Sequence, residues 1–457
     1  MPTVHRVFGV CAVLGGCGSP TERATPLFEQ TTIECAPQAV NALRIDCDVA
    51  LPVPATIAMR AVLPQADIDP REASSTEPDT HHQLTLQGLL PEQETLLEIA
   101  IDGGPWTGVG TLTTDAVMPS IDITVEHFEG NAQVHAVALN AECNDDSYVA
   151  LIDVEGRVRW YEDVSHLGAI DAFEITDDSV VVLAGREHLV EVGLDGSPIR
   201  TWGPDILGTY VHHDVITRDG RTLVLTGQPW TDPDTGLVYM HEGVRVFDAD
   251  GTIVADWIAS DFLSIPPSLW GESGFWDPYS PGILQAYHLN SLFLDGDDWL
   301  VSFTSASMVV RVIGDPTRQD FGTIAWMLDG AGHEGDYEVG DQAGFHSQHH
   351  VRRSEHGNLM LFDNGSAARG SRGLELTVDE ASQRVEVASE YPLDTHCPYG
   401  GSMYRLANDH RLVTCGTEGT VIEVDEGGAP VWQLSLDCDG KPKFVYRATP
   451  VFDPEAW

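Results

Sequence analysis

Residues 345–353, which read FHSQHHVRR, hold more titratable side chains than a packed strand or a solvated loop needs. Three of these residues are histidines and two are arginines. Near pH 7 a neutral imidazole can bind a metal, carry a proton or act as a nucleophile, and an arginine can hold an anion. The segment is therefore predicted to form one wall of an active site.

Further histidines lie about 50 to 80 residues apart at three other places, namely His212-His213, His288 and His396. Each comes shortly before an apolar stretch typical of a strand, as His349-His350 does before residues 358–361. Groups so far apart in the sequence meet only in a closed fold. His346 and His410 have no counterparts in this pattern and are expected to be ordinary core histidines.

Two chemistries suit such a cluster. A metal site would combine imidazoles with carboxylates, and Asp214 is the one carboxylate at the same position of the repeat as the histidines. In covalent catalysis one histidine attacks, its neighbours donate hydrogen bonds or move protons, and Asn290 with the arginines steadies an anionic group. The second arrangement favours sulfuryl or phosphoryl transfer without a metal.

Charge excludes several classes of function. The 457 residues include 71 acidic and 24 basic ones, which gives a net charge of −47 at pH 7. Such a chain is not expected to bind nucleic acid or an anionic membrane surface. Beyond the N-terminus, no stretch is long and apolar enough to span a bilayer. An anionic substrate would have to be drawn in by local arginines.

The N-terminal segment predicts export. Residues 1–17 have a short apolar run that ends in LGGC, and they resemble a bacterial lipoprotein signal in which Cys17 becomes lipidated. An ordinary secretory signal cut nearby is the alternative. Residues 18–27 then read as a tether. Either signal places the protein in the periplasm or at the cell surface, with membrane contact only through a lipid on Cys17.

The cysteines support the same compartment. Six remain after the signal: Cys35, Cys47, Cys143, Cys397, Cys415 and Cys438. An even number in an exported chain predicts disulfides, with about 15 possible connectivities. The Cys35–Cys47 pair is the simplest choice. The absence of a CxxC pair argues against structural zinc.

Alternating apolar and polar positions predict strands almost throughout. Residues 28–118 contain short period-two runs broken by Pro, Gly and Asp, which indicates a small β-sandwich of immunoglobulin or fibronectin type. Residues 120–457 repeat a strand, an acidic or glycine turn and a strand six times, at 151–160, 192–202, 246–257, 310–326, 374–385 and 422–432. We therefore predict an all-β protein in which a six-bladed β-propeller follows the sandwich. A pair of β-sandwich domains is the rival fold.

Four motifs carry a resemblance to a known family. These are His288-Leu-Asn290-Ser291, FxxQH at 345–349, FDNG at 362–365 and GSMYRL at 401–406. Together, over roughly residues 120–450, they resemble the bacterial arylsulfate sulfotransferases. That family consists of periplasmic or secreted six-bladed propellers that pass a sulfuryl group between phenols, with no nucleotide donor or other cofactor.

The resemblance implies roles for particular residues. His349 matches the histidine that is transiently sulfated, His288 and Asn290 match residues that bind the sulfuryl oxygens, and His212 or His213 matches a further active-site histidine. The implied partners are a small aryl sulfate donor and a phenolic acceptor. The oligomeric state is not implied.

The chain also departs from the family. The arginine expected on the strand after the His-x-Asn motif is missing, because residues 301–308 read VSFTSASM. Its role is assigned to Arg352, Arg353 or Arg405, with His396 nearby as a further substrate-binding residue. His350 stands where family members more often have an acidic residue. A propeller that only binds a ligand or surface partner, and a metal-dependent hydrolase or lyase on the same histidines, remain alternatives.

Overall fold

In a computed structural model of the protein, the described residues are 27–452 except 39–40, 65–68, 119–120, 232, 234–235, 264–270, 273–274, 277–281, 286–287 and 332–334. The signal segment 1–17 and residues 18–26 of the tether lie outside the described residues. The chain divides into two compact units, one of residues 1–119, 157–162 and 454–457 and the other of residues 120–156 and 163–453.

The first unit holds two antiparallel sheets and a short 3-10 helix, Leu27–Gln30. One sheet has the order Thr32–Pro37, Ile45–Ala55, Asp79–Leu86, and the other has the order Arg71–Ser74, Ile57–Val62, Glu94–Ile101, Thr107–Thr113. Every second residue of Ile57–Val62 is buried, because successive side chains of a strand point to opposite faces. Side chains from both sheets pack into one apolar cluster that includes Ile45, Met59 and Ile99.

The second unit contains six sheets within the described residues. Sheet 1 has Asp146–Asp153, Ala136–Cys143, Lys443–Phe444 and Ala448–Val451; sheet 2 has Ile170–Ile175, Ser179–Ala184, His188–Gly193 and Pro198–Trp202. Sheet 3 has Tyr210–Arg218, Arg221–Thr231, Val238–Phe247, Ile253–Ile258, Leu284–Gln285 and Gly271–Glu272; sheet 4 has Leu289–Asp295, Asp298–Phe303, Met308–Val312 and Ile324–Asp329. Sheet 5 has His349–Arg353, Leu359–Ser366, Gly370–Asp379, Arg384–Pro392 and Glu338–Val339; sheet 6 has Ser402–Arg405, Arg411–Cys415, Thr420–Val424, Pro430–Asp437 and Asp122–Phe128.

A further strand, Val158–Asp163, follows Asp146–Asp153 in the chain, and residues 158–162 of it group with the first unit. Helical turns are few and short: an α-helical turn at Pro204–Leu207 and 3-10 turns at Ser165–Leu167, Ala259–Asp261 and Ala407–Asp409. Among the described residues, no helix is long and apolar enough to cross a membrane. The prediction of an all-β chain is confirmed.

Successive sheets of the second unit pack against each other through apolar faces. The second strand of a sheet is buried on both faces in Ser179–Ala184, Asp298–Phe303 and Arg411–Cys415. Shared apolar clusters join sheet 2 to sheet 3, sheet 3 to sheet 4, sheet 4 to sheet 5 and sheet 5 to sheet 6. Strands covered on both faces read as continuous apolar runs, which is the pattern seen in the sequence.

Strands from both ends of the second unit complete its first and last sheets. Asp122–Phe128 pairs with Pro430–Asp437 in sheet 6, and Ala448–Val451 pairs with Ala136–Cys143 in sheet 1. A disulfide between Cys143 and Cys438 joins the same regions, and another links Cys397 to Cys415. The predicted Cys35–Cys47 disulfide is confirmed, and it links two paired strands of the first unit.

Candidate active site

A cavity of about 460 Å³ gathers side chains from all six sheets of the second unit. Sheet 1 contributes Glu142, which lies in Ala136–Cys143. Sheets 2 to 6 contribute Asp171, His213, His288, His349 and Tyr399, each from the strand named first for its sheet above or from the loop before that strand. Aromatic rings form much of the remaining wall, namely Phe275, Tyr399, Phe444 and Tyr446. Three histidines that are distant in sequence thus share one apolar-walled cavity.

Irregular backbone places these histidines. The first strands of sheets 3, 4 and 5 each shift register, after His212, after Leu289 and after His349. A histidine with positive φ lies in or beside each shift: His213 at 58°, His288 at 52° and His350 at 54°. Left-handed backbone at a non-glycine residue costs about 1–3 kcal/mol, and such strain concentrates at functional sites. Three equivalent bulges therefore indicate a built site.

The sequence between the bulges holds sheet 4 against sheet 5. Asn290 Nδ2 donates to the Gln348 carbonyl at 2.6 Å, and the Val351 N–H donates to Ser291 Oγ at 2.9 Å. Gln348 Nε2 in turn donates to Ser302 Oγ at 2.9 Å and to the Met308 carbonyl at 3.0 Å. These buried polar bonds fix where His349 begins its strand.

His349 has a defined tautomer. Its Nδ1 lies 2.7 Å from Asn364 Oδ1 and 3.1 Å from the Ser347 carbonyl, and both oxygens are acceptors. The Asn364 oxygen is identified by its own Nδ2, which donates to the carbonyls of Cys397 at 2.7 Å and Gly400 at 2.8 Å. The proton of neutral His349 therefore sits on Nδ1, which leaves the lone pair on Nε2.

The other three histidines form a chain of imidazoles. His212 Nδ1 lies 2.7 Å from His213 Nδ1, and His213 Nε2 lies 3.2 Å from His288 Nε2. Behind them the Glu242 carboxyl group lies 3.9 Å from His212 Nε2 and accepts the main-chain N–H groups of His288 and Leu289. A neutral imidazole donates through one nitrogen and accepts through the other, so this chain can pass a proton across the cavity wall.

Burial keeps the imidazoles neutral. It lowers the pKa of His349 to about 4, although the hydrogen bonds that His349 donates to Asn364 and Ser347 oppose this, and it lowers the pKa of His212 to about 3. Burial also holds the pKa values of His213 and His288 well below 6.5, and repulsion from neighbouring histidines adds to the effect. A neutral ring is the form that can act as a nucleophile.

The carboxyl groups on the cavity wall have raised pKa values, whereas those of the histidines are lowered. Burial raises the pKa of Glu142 to about 8, with Asn140 opposing the shift and Asp171 adding to it. Burial also raises the pKa of Asp171 to about 6 against the attraction of Arg186. Glu142 is therefore largely uncharged at pH 7, which reduces the negative charge that an anionic substrate meets.

The predicted site residues divide into two groups. His213, His288 and His349 line the cavity, whereas His212 is fully buried behind His213. Asn290 is also fully buried, and its amide holds Gln348 as described above. His396 is half-buried beside the Cys397–Cys415 disulfide and is not among the cavity-lining residues. Of the two candidates at 212 and 213, the structure therefore brings His213 to the cavity.

The three predicted arginines have carboxylate partners elsewhere. Arg352 pairs with Asp214 at 3.1 Å, Arg353 pairs with Asp295 at 3.1 Å, and Arg405 pairs with Glu375 at 2.7 Å. None of the three is among the residues that line the cavity. Sequence proximity to His349 does not bring Arg352 and Arg353 to the cavity, because their guanidinium groups reach Asp214 and Asp295 instead.

Several cavity residues carry no signal in the sequence. Arg186, Phe275 and Tyr446 lie in a turn, a long connection and the last segment, none of which belongs to a repeated motif. The Tyr446 hydroxyl donates to the Asn290 carbonyl at 2.8 Å, and its ring centre lies 6.0 Å from that of His349. Among the described residues, no three His, Cys, Asp or Glu side chains are grouped as metal ligands.

Solved structures show only distant likeness. A protein of unknown function from Bacteroides caccae has 11% identity and a TM-score of 0.41, covering 69% of this chain and 98% of its own. A catalytically inactive virginiamycin B lyase from Staphylococcus aureus with quinupristin has 10% identity and a TM-score of 0.37, covering 72% and 100%. Apo AztD from Citrobacter koseri has 12% identity and a TM-score of 0.31, covering 87% and 98%. Values this low do not transfer an activity to this chain.

No curated protein matches the chain. The family described as Arylsulfotransferase (ASST) matches residues 207–437, which is just over half of the sequence. The matched region includes the first strands of sheets 3, 4 and 5, and with them His213, His288 and His349. The resemblance predicted from the sequence motifs is confirmed, and the chain belongs to the arylsulfotransferase family.

Proposed function

We propose that the protein moves a sulfuryl group from an aryl sulfate ester to a phenol through a covalent intermediate on His349. Family membership supports an arylsulfotransferase that acts on these small molecules. The observation that carries the covalent step is the 2.7 Å contact between His349 Nδ1 and Asn364 Oδ1. Because Nδ1 carries the proton, the Nε2 lone pair is available to attack sulfur.

The first step forms a bond from Nε2 to sulfur while the bond from sulfur to the aryl oxygen breaks. The phenolate leaves with the electron pair, and the sulfated imidazole ring becomes positively charged. The Asn364 amide oxygen stabilises that charge through the Nδ1–H bond. A phenolate is an acceptable leaving group because the pKa of its parent hydroxyl is near 10, as for tyrosine.

In the second step the acceptor oxygen bonds to sulfur while the bond from sulfur to Nε2 breaks. The acceptor hydroxyl proton passes to the imidazole chain of His288, His213 and His212, whose nitrogens lie 3.2 and 2.7 Å apart. In the first step the same chain donates a hydrogen bond to the departing phenolate oxygen. The proton that the chain gains in the second step passes on to solvent or to the released phenolate, which restores the neutral imidazoles. In this proposal Asn290 is a positioning residue that holds the Gln348 carbonyl.

The six sheets are, on this proposal, the blades of one propeller. Shared apolar clusters join neighbouring sheets from sheet 2 to sheet 6, and all six sheets contribute to one cavity. Both observations are expected when sheets surround a common axis. The two sheets of the first unit, with their shared core, support the sandwich interpretation of residues 28–118.

Transfer kinetics test the proposal. Purified protein is incubated with 4-nitrophenyl sulfate and phenol, with and without a chelator, and nitrophenolate and phenyl sulfate are quantified. The variant His349→Ala should lose on the order of 10⁴-fold or more in kcat. The control is His346→Ala, three residues away. The expectation that His346 is a core histidine is wrong, because its side chain is exposed. Transfer that survives in His349→Ala removes the covalent step from the proposal.

A quenched reaction tests the intermediate directly. Wild-type protein mixed with donor alone and digested at alkaline pH should contain one additional SO₃ unit on the peptide that carries His349. Added phenol should discharge that peptide. If wild-type protein transfers nothing, a binding module becomes the better interpretation, and transfer that a chelator abolishes would favour a metal enzyme.

We also propose that the protein is exported and anchored through Cys17. The three disulfides support an oxidising compartment. Metabolic labelling with a fatty acid, followed by membrane fractionation, should show a labelled membrane-bound protein. A Cys17→Ser variant that keeps both the label and the membrane location would contradict the anchor.

A further inference from the structure

The cavity faces an electrostatic problem if it accepts a sulfate ester. The donor carries a fixed negative charge, the whole chain carries −47, and the cavity wall contains the carboxyl groups of Glu142 and Asp171. The histidines of the cavity are neutral at pH 7, so they provide N–H donors without charge. A permanent positive charge beside the site offsets part of the hydration that an anion loses on binding.

Among the described residues that line the cavity, the one arginine is Arg186. It lies in the turn between Ser179–Ala184 and His188–Gly193 of sheet 2, with a φ of 60°. The predicted candidates Arg352, Arg353 and Arg405 have ion-pair partners elsewhere and do not line the cavity. The permanent positive charge of this wall thus comes from sheet 2, which contains none of the four sequence motifs.

The Arg186 side chain is held from three sides. Its Nε lies 3.2 Å from Asp171 Oδ1, and its main-chain N–H donates to Asp171 Oδ2 at 2.9 Å. The guanidinium carbon lies 3.7 Å from the centre of the Phe275 ring, and Nη1 donates to the Phe275 carbonyl. Stacking on an aromatic face and a carboxylate on the Nε side together orient a guanidinium.

Arg186 is also coupled to the histidines. Its carbonyl accepts the Val211 N–H at 2.8 Å, and Val211 immediately precedes His212 and His213 in the first strand of sheet 3. The Phe275 ring that stacks on the guanidinium lies with its centre 4.5 Å from that of His213 and 4.7 Å from that of His288. One aromatic ring therefore contacts both the cation and the imidazoles.

We propose that Arg186 binds the sulfate group of the aryl sulfate donor and takes the place of the arginine missing from the strand after the His-x-Asn motif. This inference rests on the proposed function for the identity of the donor. Asp171 acts as a positioning residue that keeps the guanidinium at the cavity wall. The resulting site places a cation on one side of the sulfuryl group and the attacking imidazole of His349 on another.

Binding of an inert analogue tests the inference apart from catalysis. Benzenesulfonate has the anionic group but no sulfate ester oxygen to lose, and its affinity is measured by calorimetry on full-length His349→Ala protein. Adding Arg186→Gln should weaken binding roughly 10- to 100-fold, because a hydrogen bond to a charged group is lost. With Arg186→Lys added instead, the benzenesulfonate affinity should lie between those of the His349→Ala parent and the Arg186→Gln variant. Circular dichroism and the melting temperature establish that each variant is folded.

Arg200→Gln is the matched control. Arg200 lies in the same sheet, pairs with Glu191 at 2.7 Å and stacks 4.4 Å from the centre of the Trp202 ring, but it does not line the cavity. Its loss should leave the benzenesulfonate affinity unchanged. Added guanidinium ion should partly restore binding to an Arg186→Ala variant and should have no such effect on the Arg200 variant.

The outcomes separate the two proposals. Arg186-dependent sulfonate binding in a protein that transfers no sulfuryl group would support the anion site and contradict the proposed activity. Active wild-type protein whose Arg186→Gln variant binds benzenesulfonate as tightly as its parent would overturn the Arg186 assignment alone. Equal losses in the Arg186 and Arg200 variants would also overturn it, because the effect would then be structural.

Discussion

The Asn364 amide decides which nitrogen of His349 is free. Its Nδ2 is committed to the carbonyls of Cys397 and Gly400, so its oxygen can only accept from His349 Nδ1. In a serine protease a carboxylate plays the corresponding role for the catalytic histidine. An uncharged amide suits a nucleophilic histidine better, because it fixes the tautomer without drawing the ring toward protonation.

Asn364→Ala should therefore lower kcat roughly 10- to 100-fold, which is the usual range for losing a partner that orients an active-site histidine. The KM for the donor should change little, because Asn364 is not among the cavity-lining residues. The control is Asn358→Ala, which removes a 2.9 Å bond to Glu375 at the other end of the same strand. Equal kcat values for the two variants would contradict the role of Asn364.

The pH profile of kcat/KM should show an acid limb near pH 4 instead of near 6.5. Burial lowers the pKa of His349 to about 4, and only the unprotonated ring attacks sulfur. The same depressed pKa contributes stability that is complete above pH 6.5 and is lost as the pH falls through about 4. Measuring kcat/KM from pH 3.5 to 8 with a donor of low leaving-group pKa checks this, and a midpoint near 6.5 would refute it.

Sequence reasoning found the histidines because their residue type and their position before successive strands are both visible in one dimension. His213, His288 and His349 lie together in the cavity as that pattern suggested. The cation could not be found in the same way. Arg186 lies in an ordinary turn, and its approach to the cavity depends on the packing of sheet 2 and on Phe275.

At the scale of the strands, one buried carboxylate ties several elements together. Asp214 lies in the register shift of sheet 3 and accepts the Leu292 N–H of sheet 4 at 2.8 Å. It also pairs with Arg352 of sheet 5 at 3.1 Å and with Arg447 at 3.0 Å. Burial alone would raise its pKa, but the two arginines outweigh burial and lower the pKa below its ordinary value.

Asp214→Ala should lower the free energy of unfolding by about 3–5 kcal/mol, because it leaves the buried Arg447 and the half-buried Arg352 without their carboxylate. Urea unfolding followed by tryptophan fluorescence measures the change. Asp320→Ala is the control, since its pair with Arg318 is about half exposed and is screened by solvent, so its loss should change the stability little. If the unfolding free energies of the two variants differ by less than about 1 kcal/mol, the proposed role of Asp214 is contradicted.

Strand positions were largely predictable, whereas the bulges were not. The repeated pattern of strand, acidic or glycine turn and strand predicted paired strands such as Val238–Phe247 with Ile253–Ile258. A positive φ at His213, His288 or His350 has no local signature, because these are not glycines. The surrounding sheets impose that conformation, and it determines which side chain of each pair lines the cavity.

At the scale of the whole chain, the Cys143–Cys438 disulfide closes a loop with a sequence separation of 295, whereas Cys397–Cys415 closes one of 18. Loop-closure entropy predicts that the longer cross-link stabilises the fold by about 2.5 kcal/mol more than the shorter one. Urea unfolding of Cys143→Ala/Cys438→Ala and of Cys397→Ala/Cys415→Ala tests this. If removing the Cys397–Cys415 disulfide lowers the unfolding free energy equally or more, packing in the native state, and not chain entropy, determines the difference in stability.

The pairing of Asp122–Phe128 with Pro430–Asp437 cannot form until late in synthesis, because the two strands are far apart in the sequence. At a rate of about 5–20 residues per second, the partner strand leaves the ribosome roughly 15 to 60 seconds after its mate. During that interval the earlier strand presents an unpaired edge to every neighbouring nascent chain, and such edges template aggregation. The strand that later completes the last sheet is therefore also a site at which an unfinished chain can aggregate with another chain.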